Sequence, residues 1–331
     1  MPDTVRWGVM SPAKIATEKV IPAMQRCRNA SVVAIASRDE ARARAASQAL
    51  HVPMAFGSYE DLLASPDVDA VYIPLPNQLH VPWSVRAIEA GKHVLVEKPI
   101  ARTAAEVQPL LDAAAQHPHV KVMEAFMYRF HPQWTTAKAW IDEGLIGDVQ
   151  QIPSHFAYRN LDPANVRNRV ETGGGGLLDI GCYDVSLSRY LYGREPERVV
   201  ATIDYDPSFE TDRLTSAILD FGNGATATFS CATQLAPFQR VHAFGTAGTV
   251  EIDVPFNAPP RGRVHVRRAE GENTLQRSFE NVAQYTLQGE AFSEAILQDA
   301  PVPTPLEDAV ANMRVLDALR ASAAEGAWKR V

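Results

Sequence analysis

Cysteine is scarce: the 331-residue chain has three, Cys27, Cys182 and Cys231, far apart and with no Cys-x-x-Cys pair. This excludes a disulfide framework and a zinc ribbon and predicts a reducing, cytoplasmic setting. No histidines stand in His-Glu-x-x-His or similar ligand spacing, so no metal is expected. No stretch approaches the ~18 consecutive apolar residues that span a bilayer, and the opening run Met1 to Trp7 lacks the charged-then-apolar layout of a signal peptide. Positive charge is in deficit: 32 Lys and Arg against 39 Asp and Glu leave a net charge of −7. That balance disfavours a nucleic-acid partner, though a local basic pocket for a small anion is compatible with it. What remains, 46% hydrophobic and 21% charged residues, is ordinary globular composition.

The length fits two domains at roughly 100–200 residues each. In the first third, short apolar runs alternate with helical patterns, the signature of parallel βαβ units. Strands are expected at Val5 to Met10, Val32 to Ala36, Asp69 to Ile73, His93 to Val96 and Lys121 to Glu124, with helices between them, including Pro12 to Met24 and Arg38 to Ala49. From about residue 125 the grammar changes. Helices at Thr135 to Glu143 and Leu177 to Tyr192 give way to successive strands, joined by turns such as Phe221-Gly222-Asn223-Gly224, a sign of antiparallel pairing. The expected fold class is α/β: a Rossmann-type doubly wound parallel sheet over 1–124, then an α+β domain with an open, mainly antiparallel sheet over 125–331.

A dinucleotide fold places small residues between its first strand and helix so that a pyrophosphate can approach the helix N-terminus. Here that stretch is Ser11-Pro12-Ala13-Lys14-Ile15-Ala16, small at the three usual glycine positions but without glycine. Ser11, Ala13, Lys14 and Ile15 are the expected phosphate contacts. An acidic residue after the second strand would take both ribose hydroxyls of NAD. This chain has Ser37-Arg38-Asp39 and then Arg42, and a hydroxyl with guanidinium groups suits a 2′-phosphate. Ser37, Arg38 and Arg42 therefore point to NADP, with NAD as the other possible cofactor.

Residues 71–101 carry the chemistry. A strand ends at Ile73, the turn Pro74-Leu75-Pro76-Asn77 leads to His80, and a second strand ends in Glu97-Lys98-Pro99. In an open parallel sheet, ligands bind beyond the carboxyl ends of the strands, where these groups fall. A lysine there can donate to a reacting oxygen. Farther on, Gly173 to Gly176 precede a helix with Asp179 and Tyr183 at i and i+4, hence on one side, away from the Leu177, Ile180, Leu187 and Leu191 cluster. On that pattern, Asp179 and Tyr183 need not face the core.

These motifs, from Trp7-Gly8-Val9 through Asn77-x-x-His80 and Glu97-Lys98-Pro99 to Gly173-Gly174-Gly175-Gly176-Leu177-Leu178-Asp179, resemble the glucose-fructose oxidoreductase / inositol dehydrogenase family of NAD(P)-dependent enzymes over essentially the whole chain. The tyrosine at 183 resembles the branch with glucose-fructose oxidoreductase, dimeric dihydrodiol dehydrogenase and sugar ketoreductases. The resemblance implies that Lys98 is catalytic, that Pro99 follows a cis bond, and that Asn77 and His80 line the nicotinamide end; Pro74, Leu75, Glu97 and Lys98 complete the expected cofactor contacts. The glycine-poor phosphate loop departs from the family pattern.

The expected reaction moves hydride between nicotinamide and a CH–OH or C=O group of a sugar or polyol. Tyr183 is the acid/base, Lys98 stabilises the alkoxide and Asp179 orients lysine and substrate. A phenol, with pKa ~10, needs roughly 4 kcal/mol of phenolate stabilisation to titrate three units lower. Tyr158 and Arg167 are the expected substrate contacts beside Lys98, Asp179 and Tyr183, since sugars need both ring faces and hydrogen-bonding groups. A ketoreductase of nucleotide-linked sugars and a non-catalytic NADP-binding sensor are the competing readings. The open sheet of the second domain predicts a homodimer or homotetramer.

Overall fold

The computed structural model describes residues 4–331. They form two compact units: residues up to Met127 together with Ala283–Val310, and Tyr128–Val282 together with Ala311–Val331.

The first unit contains a parallel six-stranded sheet: β1 Val5–Met10, β2 Ala30–Ala36, β3 Met54–Phe56, β4 Ala70–Ile73, β5 His93–Val96 and β6 Val122–Glu124, in the order β3-β2-β1-β4-β5-β6. This is the Rossmann order, with its switch point between β1 and β4. The strands are short near-continuous apolar runs because both faces of such a sheet are covered. Trp7, Val9, Ile35, Tyr72 and Val94 have no exposed surface. The helix after β1 starts at Lys14, not Pro12, and runs as a π-helix over Ala16–Val20 before the α-helical Ile21–Met24.

One segment corrects the domain assignment from sequence. The helix Gln284–Leu297, expected in the second domain, packs in the first unit. Trp7 Nε1 donates to Ser293 Oγ at 3.1 Å, Trp7 and Phe292 rings lie 5.7 Å apart, and Thr286 Oγ1 donates to the Ala23 carbonyl at 2.9 Å. The apolar flank of β1 and β2 needs a cover, and a helix far along the chain supplies it. Amphipathic pattern shows that a helix has a buried side, not which sheet it buries.

The second unit holds a nine-stranded sheet built from β7 Val149–Arg159, β8 Arg198–Tyr205, β9 Asp212–Asp220, β10 Thr226–Ala232, β11 Gln234–Gly245, β12 Thr249–Ile252, β13 Arg263–Glu270, β14 Asn273–Glu280 and β15 Lys329–Arg330. Its order is β14-β13-β12-β11-β7-β10-β9-β8-β15, antiparallel except where β10 lies parallel to β7. The Phe221–Gly224 turn joins β9 to β10 with Asp220 opposite Thr226; Gly222, Asn223 and Gly224 all have positive φ there. The helices Pro132–Asp142 and Cys182–Tyr192 pack on one sheet face. The first of these begins earlier than its apolar pattern suggests, because Pro132 fits the first helical turn and His131 Nδ1 accepts the Gln133 N–H at 3.2 Å.

Candidate functional site

In the first unit the turn after β1 leaves Ser11, Ala13 and Ile15 partly exposed and Lys14 exposed. Ser11 has φ +135°, a conformation glycine adopts more cheaply, so the backbone turns as a glycine loop would without a glycine. Small side chains on this turn keep the helix start accessible, which fits a pyrophosphate. After β2, Ser37 is buried and its Oγ accepts the Asp39 N–H at 3.2 Å. Asp39 does not face a ribose site as a free acid: its carboxylate caps the Glu40–Leu50 helix, accepting from Ala41 N (2.9 Å) and Arg42 N (3.3 Å). Arg38 and Arg42 are exposed, and neither makes an ion pair among the described residues, whereas Arg44 pairs with Glu40. That set of groups accommodates a 2′-phosphate.

At the carboxyl ends of β4 and β5 the turn Glu97-Lys98-Pro99 is held from several sides. Lys98–Pro99 is a cis bond. Tyr72 OH donates to Glu97 Oε1 at 2.5 Å, and Glu97 Oε2 accepts the Lys98 N–H at 3.3 Å. Glu124, 2% exposed at the end of β6, accepts the Ile100 N–H on Oε1 at 2.6 Å.

His80 departs from expectation. It is 1% exposed, and its ring nitrogens lie 2.7 Å from the carbonyl oxygens of Pro99 and Leu75. Two acceptors ask for two donors, but burial, with the Lys98 charge added, outweighs those hydrogen bonds and pushes its pKa down to about 4. His80 thus ties the Pro74–Asn77 turn to the lysine turn, and its ring is spent on backbone. Pro74 and Leu75 are likewise buried, while Asn77 is half-exposed.

In the second unit a chain of contacts explains the glycine run. Gly174 N–H donates to the Arg169 carbonyl and Gly175 N–H to the Arg167 carbonyl, both at 2.9 Å, and a Cβ on Gly174 would come within 2.5 Å of the Arg167 oxygen. The helix then opens with a π-helical turn, Leu177–Gly181, before α-helical Cys182–Tyr192; such insertions recur at functional sites. Asp179 receives two donors: Tyr158 OH on Oδ2 at 2.6 Å and Arg167 Nε on Oδ1 at 2.9 Å. Burial first, then the Asp179 charge, raise the Tyr158 pKa, so this phenol keeps its proton.

Tyr183 packs among Phe256, Phe156 and Tyr128, with ring centroids at 5.1, 5.8 and 5.8 Å. Phe156 and Tyr158 are two residues apart on β7 and so share a face; Tyr183 and Asp179, four apart on the helix, meet them in turn. The expected common side is therefore real, but it is buried: Tyr183 is 5% exposed and the helix is enclosed nearly all round. Ser186 extends this side, its Oγ 2.8 Å from Tyr128 OH and from Arg129 Nη2. Sequence reasoning missed Glu124 and Asp212. Asp212 lies on β9, and its Oδ2 accepts the Leu177 N–H at 2.5 Å. No local motif marks either residue.

Comparison with known proteins finds the oxidoreductase family with an NAD-binding Rossmann fold over residues 5–126 and the GFO/IDH/MocA C-terminal domain over residues 134–251. An uncharacterised oxidoreductase of Rhizobium meliloti is 43% identical over 99% of this chain and 100% of its own length. A D-xylose 1-dehydrogenase (NADP(+)) of Haloferax volcanii is 37% identical over 97% of this chain and 98% of its own. Among solved structures, a 3-ketoreductase from Actinomadura kijaniata in complex with NADP and TDP-benzene superposes with TM-score 0.90 at 29% identity, covering 96% of this chain and 98% of that one.

Proposed function

Because the chain belongs to the GFO/IDH/MocA family of oxidoreductases, we propose that it is an NADP-dependent enzyme that interconverts a CH–OH and a C=O group of a sugar or polyol. The observation that carries this reading is the pair of built sites on the matched domains: a lysine turn at the carboxyl ends of the parallel sheet, held by Glu97, Glu124 and His80, and the cluster that Tyr158 and Arg167 form around Asp179 of the tyrosine-bearing helix. The NADP-dependent xylose dehydrogenase similar to this chain supports the substrate class and the cofactor.

Ser11, Ala13, Lys14 and Ile15 would hold the pyrophosphate, Arg38 with Ser37 and Arg42 the 2′-phosphate, and Asn77, Glu97 and Lys98 the nicotinamide end. When bound, the nicotinamide accepts or supplies the hydride. Tyr183 takes the proton from the substrate hydroxyl at its phenolic oxygen, or returns it during carbonyl reduction. Lys98 stabilises the developing alkoxide through its ammonium. Asp179, already holding Arg167 and Tyr158, orients the substrate through them. Tyr183→Phe and Lys98→Ala are each expected to cut kcat by about two or more orders of magnitude, with the NADP dissociation constant of Tyr183→Phe within about twofold of wild type. Near-normal turnover of either variant across a panel of aldoses, diols and keto-sugars refutes the assignment.

A second reading, reduction of a nucleotide-linked keto-sugar, is favoured by the likeness to the Actinomadura 3-ketoreductase. It predicts a marked thermal shift with nucleoside diphosphate sugars and none with free aldoses. A second copy of the chain on the helix-free face of the nine-stranded sheet would cover Ile218 and Phe244, both 39% exposed; light scattering at the monomer mass refutes this. Among the described residues no helix is long and apolar enough to cross a membrane, and no cysteine forms a disulfide. Both facts fit the cytoplasm.

A further inference from the structure

We propose that Asp212 is a positioning residue: its carboxylate holds the Leu177 amide at the start of the helix that carries Asp179 and Tyr183, and so sets where those two side chains stand. The inference rests on the functional reading above and extends it to a residue outside every motif.

Asp212 is the first residue of β9, and its side chain meets the start of the neighbouring helix. Oδ2 accepts the Leu177 N–H at 2.5 Å. Gly175, with φ +110°, lies so close that a Cβ there would overlap Asp212 Oδ1. Gly175 is therefore a glycine both for its backbone angle and to admit this carboxylate. The same glycine carries the rest of the cluster: its carbonyl accepts the Asp179 N–H at 3.1 Å, and its N–H donates to the Arg167 carbonyl at 2.9 Å. A shift at Gly175 would thus displace both members of the Arg167–Asp179 pair. An ordinary helix cap is a serine, threonine or exposed acid. A buried carboxylate costs more, since desolvation favours its protonated form, and here the Leu177 amide and the positive end of the helix dipole oppose that.

The test uses the full-length protein with Asp212→Asn and Asp212→Ala, measuring steady-state kinetics, NADP binding and hydrogen exchange of the Leu177 amide. The asparagine variant keeps one acceptor oxygen; the alanine variant keeps none. We expect Asp212→Asn to lower kcat about fivefold and Asp212→Ala about fiftyfold or more, with the NADP dissociation constant within about twofold and amide exchange faster in the same order. Should the alanine variant not fold, the asparagine variant alone decides, since it retains the side-chain shape. Wild-type kcat and exchange in Asp212→Asn overturn the proposal. So does a fall in melting temperature with kcat per folded molecule unchanged, which marks a purely structural cap. A wild-type protein without turnover on any sugar, polyol or nucleotide-linked keto-sugar overturns the functional reading itself, a result distinct from either.

Discussion

Replacing Arg38 by alanine should separate the two nicotinamide cofactors. Arg38 follows β2 directly, is exposed, and has no ion-pair partner among the described residues. Its neighbour Asp39 is committed to the Ala41 and Arg42 amides, and Glu40 pairs with Arg44. The guanidinium is thus available to a 2′-phosphate. A charge-assisted hydrogen bond nets ~1.5–3 kcal/mol, and solvent exposure reduces that to ~1–2 kcal/mol. At ~1.4 kcal/mol per tenfold, Arg38→Ala should raise the NADP dissociation constant by about 5- to 30-fold. NAD, which lacks the phosphate, should bind within about twofold of wild type, and the gap should narrow with added salt as the charges are screened. Fluorescence titration with NADPH and NADH at two ionic strengths measures all of these. An equal loss for both cofactors, or none, refutes the argument.

Three other expectations concern the lysine turn, the buried acid beside Tyr183, and the proton acceptor. Glu124→Gln keeps an oxygen for the Ile100 N–H, whereas Glu124→Leu strands that buried donor at ~1–3 kcal/mol; calorimetry should show a melting temperature near wild type for the first and clearly lower for the second, and equal values refute the bond's importance. Asp184 is fully buried, and desolvation, only partly offset by Ser154, raises its pKa well above the usual carboxylate range. The folded state then holds the proton more tightly than the unfolded chain, so its contribution to stability falls as pH rises above the unfolded value of ~3.9. Asp184→Asn should therefore gain thermal stability over wild type at pH 8 but not near pH 4, and a gain independent of pH contradicts this. Tyr183→Phe, beyond its loss of turnover, should leave the NADPH titration unchanged, since phenylalanine keeps the ring packed against Phe256, Phe156 and Tyr128; a matching loss of cofactor affinity counts against an acid/base role.

Periodicity and punctuation were enough for five strands of the parallel sheet but not for the three-residue edge strand β3 Met54–Phe56, too short to show a pattern. The run Ala70–Ile73 is apolar throughout, and Val5–Met10 and His93–Val96 nearly so, because both faces are covered, and the run Gly222-Asn223-Gly224 marked the β9–β10 hairpin. They did not show that the glycine-poor turn after β1 adopts a positive φ at Ser11, nor that the helix behind it opens in π-helical form. His80 illustrates the limit at a single residue. Its spacing from Asn77 and Lys98 is visible in the chain, but only packing reveals that its ring bridges two backbone carbonyls.

The sequence by itself determined the two kinds of sheet, the lysine turn, the helical spacing of Asp179 and Tyr183, and the basic end of β2, because each depends on neighbours a few residues apart. Tertiary structure alone decided the return of Gln284–Leu297 to the first unit, the hold of Glu124 on Ile100, and the hold of Asp212 on Leu177. Those contacts join residues 24, 35 or more than 250 positions apart. A buried amide must be paired, but the requirement can be met by any acceptor that the fold brings near, so local sequence does not say which one.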